Sequence, residues 1–150
     1  MPAYRTIVVG TDGSERSMSA VERAGALAAD SGSRLVIVCA YHPAGDRETR
    51  RATDALRDEA YQVIGSAPAE SSLRTATGRA RARGARDIVT RAVSGEAPDV
   101  LAKAVAEADA DLLVVGNRGL NTLVGRLLGS VPSAVARHAG CDVTIVRTGG

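Results

Sequence analysis

Asp111-Leu112-Leu113-Val114-Val115 runs directly into Gly116-Asn117-Arg118-Gly119, and nine residues later the chain reaches Gly129-Ser130-Val131-Pro132. The apolar run reads as a strand buried in a sheet, and the residues from Ser130 to His138 read as the start of a helix. Glycine lets a backbone approach a ligand closely, and the unpaired N–H groups of a first helical turn point at an anion. Ser130 is suited to cap that turn or to donate its hydroxyl to a phosphate oxygen. Pro132 falls in the first turn, where its missing N–H costs nothing.

The rest of the chain alternates in the same way. Arg5–Gly10 is a short β-branched run, followed by Thr11-Asp12-Gly13-Ser14 and a helix to about Ala29 with Val21, Ala24, Leu27 and Ala28 on its apolar side. Glu15, Arg16, Glu22 and Arg23 are assigned to its solvent face. A second strand follows at Arg34–Ala40, with His42 in the loop beyond. Residues 43–68 carry an imperfect helical stripe ending in Gly65-Ser66-Ala67-Pro68 and give no firm reading. A basic helix is expected from about Ala69 to Arg83, a third strand at Asp87–Val93, suited to a sheet edge, and a helix through Ala108 with Val100, Leu101, Ala104 and Val105 inward. The final strand is Cys141–Arg147. Five strands alternating with helices predict one α/β domain, residues 1–150, with an open parallel five-stranded sheet covered on both faces.

Composition narrows the function. At 150 residues and 45% hydrophobic, the chain is long enough for a real core. Phe and Trp are absent, so that core must be built from Val, Leu, Ile and Ala. The net charge of +2 carries no nucleic-acid signal, and the arginines of residues 74–86 lack the interleaved aromatics of a nucleic-acid groove. No apolar run reaches membrane length and the N-terminus has no signal pattern, so a cytoplasmic protein is expected. Cys39 and Cys141 have no metal-ligand spacing and read as small buried hydrophobes.

Two familiar phosphate loops are excluded. A Walker A loop requires a lysine after its second glycine, and the only lysine is Lys103; a G-x-G-x-x-G fingerprint is absent. What remains is G-x2-G-x9-G-S after the fourth strand, and this resembles the ATP-binding motif of the universal stress protein family. The resemblance implies a Rossmann-like sheet of order 3-2-1-4-5, whose cleft lies at the carboxyl ends of strands 1 and 4. It places Asp12 on ribose or Mg2+, with Thr11 beside it, and gives the backbone of Ala40 and Gly116 the adenine and ribose end. The N–H groups of Gly119, Gly129, Ser130 and Val131 would hold the phosphates, with Arg118 or Arg126 assisting. It also implies a homodimer through Val143–Val146, although Asp142 stands where many members have proline.

The function implied is an ATP-binding regulator of stress or dormancy responses, with Mg2+ as companion ion and protein partners that the sequence does not name. A slow ATPase or autophosphorylating enzyme is the second reading. Efficient phosphoryl transfer is not expected, because no lysine stands near the phosphates and no S-G-G-x-D-S signature is present. A nucleotide-independent interaction protein is the third, and the intact glycine motif argues against it.

Overall fold

The computed structural model describes residues 4–42, 65–116 and 141–147. Five strands, β1 (Thr6–Gly10), β2 (Arg34–Tyr41), β3 (Asp87–Ser94), β4 (Leu112–Gly116) and β5 (Asp142–Val146), form a single sheet. Their order is β3-β2-β1-β4-β5, as expected, and every pairing is parallel. Three described helices connect them: α1 (Glu15–Ser31), α2 (Ser66–Ala82) and α3 (Ala97–Ala108).

Side-chain alternation divides the core into two. Ile7, Val9, Leu35, Ile37, Leu112 and Val114 face α1 and α2, while Val8, Val36, Val38, Leu113 and Val115 face α3. Consecutive apolar residues in a strand are required when both faces are covered, which is why β1, β2 and β4 read as unbroken hydrophobic runs. The helices supply the matching stripes, Met18, Val21, Ala24 and Ala28 on α1 and Val100, Leu101, Ala104 and Val105 on α3.

Helix ends follow local chemistry. The Ser14 side chain accepts the Ser17 N–H at the start of α1, and Gly32 closes it with φ 65°. Helix α2 begins at Ser66, ahead of the expected Ala69, because Pro68 falls within the first turn, where no intrahelical N–H bond is lost. Ion pairs clip α2 to α1: Arg79 reaches Glu15 at 2.8 Å and Glu22 at 3.9 Å, and Arg83 reaches Glu22 at 3.5 Å. Glu22 is thus held against α2 rather than left in open solvent. At the other end of the sheet, Asp111 accepts the N–H groups of Arg5 and Thr6, and the Tyr4 hydroxyl donates to Asp142 at 3.0 Å.

The α1–α2 contact depends on the absence of a side chain at Gly25. A Cβ there would lie 2.9 Å from Ala80 Cα, a backbone atom that cannot yield without moving the helix. Gly25→Val is therefore expected to lower the urea-unfolding free energy by about 2 kcal/mol or more. Gly78→Ala, at a position where a Cβ would meet no other element among the described residues, is expected to raise it by up to about 1 kcal/mol.

Candidate functional site

Strand order reverses direction between β1 and β4, and the chains leaving these two strands do so side by side, since Val9 pairs with Val114. One leads to the Thr11–Ser14 loop and the other to Gly116. Open α/β sheets bind ligands in the crevice at such a point. Ala40, near the end of β2, is on the same edge: β2 pairs with β1 up to Gly10 opposite Val38, and the Thr11 N–H donates to the Val38 carbonyl at 2.9 Å. Thr11, Asp12, Ala40 and Gly116 are therefore brought together at one end of the sheet. Arg118, Gly119, Gly129, Ser130 and Val131 lie outside the described residues.

The loop after β1 is held by its own hydroxyls. Thr11 Oγ1 and Ser17 Oγ are 2.7 Å apart, the Ser17 hydroxyl donates to the Ser14 carbonyl at 2.9 Å, and the Gly13 N–H donates to Thr11 Oγ1 at 3.1 Å. Asp12 accepts the Ser14 N–H at 2.9 Å, a local turn that occupies one carboxylate oxygen and leaves the other without a partner among the described residues. Gly13 adopts φ 86°, and a Cβ there would lie 2.5 Å from Ser72 Oγ of α2. A side chain there would be strained by the positive φ and would have to turn the Ser72 hydroxyl aside. The loop is thus preformed and braced against α2. The bracing by Ser17 and Ser72 was not read from the sequence; the spacing of Ser14 and Ser17, which marks a capped helix start, was the available signal.

Two further groups border this end. His42 is largely buried, with Nε2 3.9 Å from the Glu96 carboxylate, and its carbonyl accepts the Gly65 N–H. Cys39 is fully buried beside Ala40, and its thiol is pushed up to about 11, first by burial and then by the Asp12 and Glu70 carboxylates. Such a thiol is a packing group rather than a nucleophile. Lys103, in contrast, is exposed on α3 and pairs with Glu107.

The crossover order, the central strands dry on both faces and the polar loop at the switch point define a doubly wound α/β protein. Residues 3–147 match the model of the universal stress protein family. The chain belongs to that family. Universal stress protein Rv1636 of Mycobacterium tuberculosis H37Rv is 49% identical over 148 residues, covering 99% of both chains. The crystal structure of Rv1636 superimposes with a TM-score of 0.59 over 99% of each chain. A universal stress protein crystallised in complex with cAMP is 47% identical, with a TM-score of 0.69 over 98% of this chain and 99% of that one. Among the described residues no helix is long and apolar enough to cross a membrane.

The raised Cys39 pKa has a definite sign. The neutral thiol is favoured in the folded state, so its contribution is whole below about pH 9 and is lost as the pH rises through about 11. The unfolding free energy of the native chain is expected to fall more steeply across this interval than that of Cys39→Ala, as measured by urea titrations at a series of alkaline pH values.

Proposed function

We propose that this chain is a nucleotide-binding regulator that takes ATP in the crevice between the ends of β1 and β4. The observation that supports this reading is that β1, leading into Thr11–Ser14, and β4, ending at Gly116, pair side by side at the point where open α/β sheets bind ligands. The relative solved with cAMP, 47% identical over nearly the whole chain, supports an adenine nucleotide as the occupant.

In this reading residues 1–150 act as one domain. The backbone at Ala40 and Gly116 holds the adenine and ribose end, and Thr11 and Asp12 face the ribose. The N–H groups of Gly119, Gly129, Ser130 and Val131 receive the phosphates, with Arg118 beside them. Among the described residues no three His, Cys, Asp or Glu side chains converge as a metal cage. Mg2+ is commonly held by one or two carboxylates together with phosphate oxygens, and the ligand proposed is the Asp12 carboxylate, whose second oxygen has no partner among the described residues. The ion would neutralise phosphate charge. Occupancy rather than turnover is the proposed signal in a stress or dormancy response, because the single lysine stands on α3 in a surface ion pair. A cytoplasmic site of action is part of this reading.

The other half of the proposal is a homodimer through β5. This strand lies at the edge of the sheet, and its Val143 and Ile145 are 47% and 46% exposed, a short apolar edge of the kind that seeks pairing. Ile145→Lys is expected to convert a dimer into a folded monomer in sedimentation velocity runs at micromolar concentration. An unchanged dimer would remove β5 from the interface.

Calorimetric titration with Mg-ATP and, separately, with cAMP tests the site. Saturable binding of ATP at one site per chain is expected, and Gly129→Val should abolish it while leaving the circular dichroism spectrum intact. Heat with cAMP alone would replace ATP by the cyclic nucleotide. Absence of heat with either ligand would overturn the nucleotide reading.

A further inference from the structure

Most of the guanidinium groups around α2 and β3 are neutralised locally. Arg79 and Arg83 pair with Glu15 and Glu22, Arg91 pairs with Glu107, and Arg34 pairs with Asp87. Arg74 and Arg81 have no such partner among the described residues. They are seven positions apart on α2, hence about 10 Å apart on nearly the same face. Between them lies a groove of roughly 330 Å3, with Leu73 as its apolar floor, Thr90 of β3 as its far wall and Glu70 at one end.

A second observation concerns Gly78, which also lines this groove. It sits inside a helix otherwise rich in alanine, where glycine costs up to about 1 kcal/mol relative to alanine. Among the described residues no atom beyond its chain neighbours and its own helical turns lies within 4 Å of the position a Cβ would take, and its φ is not in the left-handed region. Packing does not demand glycine here, in contrast to Gly25, and neither does backbone geometry. What its absent side chain does provide is a level surface between two unpaired cations.

We propose that this groove is a docking surface for an extended acidic segment of a partner protein. In an extended segment of polyproline II form, with three residues per turn, two carboxylates three residues apart lie on one face and span roughly 9 Å, close to the separation of Arg74 and Arg81. The segment's backbone passes over Gly78, where a side chain would hold it off. Glu70 repels a third carboxylate at the N-terminal end of the groove and so gives the segment a direction. A nucleic-acid strand fits less well, since no aromatic side chain lines the groove for base stacking and Glu70 opposes a phosphate. The lining residues of the groove differ from those assigned to the nucleotide crevice, and the surface does not depend on ATP being the occupant of that crevice.

The test is a titration of 15N-labelled protein, followed by amide shifts, with a short capped peptide carrying two glutamates three positions apart. Saturable shifts centred on Leu73–Arg81 and Thr90 are expected, weakened about tenfold in the Arg74→Gln/Arg81→Gln double variant. Gly78→Leu should weaken binding similarly while melting no lower than the native protein, and Arg16→Gln on α1 should leave binding unchanged. No shift up to millimolar peptide would overturn the proposal, as would equal binding of the same peptide with glutamines. Shifts of the same residues by a short single-stranded DNA at lower concentration than the peptide would also overturn it, in favour of a nucleic acid.

Discussion

Ile7, Val8 and Val9 are wholly inaccessible to solvent, and they point alternately to opposite faces of the sheet. That single condition organises the molecule. A strand dry on both faces needs helices on both, and its backbone groups need a strand on each side. The chain meets both needs by placing β2 against one edge of β1 and bringing β4 back to the other after α3 has crossed the opposite face. The strand order thus reverses direction between β1 and β4, the point at which open α/β sheets bind ligands. The candidate crevice is therefore a consequence of how the core is closed.

Close packing without large aromatics depends on small residues at the helix contacts. With no Phe or Trp, α1 and α2 approach until Gly25 lies against the backbone of Ala80, and their outer margins are then joined by Glu15, Glu22, Arg79 and Arg83. Exposed ion pairs of this kind contribute little individually. Their effect is to fix the register of α2 against α1, and with it the position of Ser72 under Gly13. The loop carrying Asp12 is braced from below by a helix some sixty residues further along the sequence (Arg79 and Glu15 are separated by 64 positions).

Much of this was legible in the sequence because burial and period coincide. The unbroken apolar runs of β1, β2 and β4 identify strands covered on both sides, and the weaker alternation of Asp87–Val93 identifies the edge. The strand order came from the family resemblance, not from periodicity. The start of α2 was misplaced by three residues, since proline reads as a breaker unless the first turn is already known. At the site, the residue types of Thr11 and Asp12 were evident, but the hydroxyl network through Ser17 was not. The hydroxyl residues Ser14 and Ser17, three apart, and Thr11 and Ser17, six apart, meet only once a turn of known geometry has brought them together. The contact with Ser72 is tertiary and leaves no local trace. The glycine motif after β4 lies outside the described residues, so the fold supports its position only as far as Gly116.

The strand order also dictates how the chain must be assembled during synthesis. β1, β2 and β3, with α1 and α2, are complete before β4 is made, and the half-sheet they form has β1 as an open, hydrophobic border. That border stays uncovered until more than a hundred residues of chain have emerged, when Asp111 can seize the N–H groups of Arg5 and Thr6. β5 comes last, and the Tyr4–Asp142 hydrogen bond then joins positions 138 apart. Contacts so distant along the sequence are slow to form. An unfinished sheet with an exposed central strand is the form of this molecule most open to wrong pairing, and the one for which the cell's folding machinery would have the most work to do.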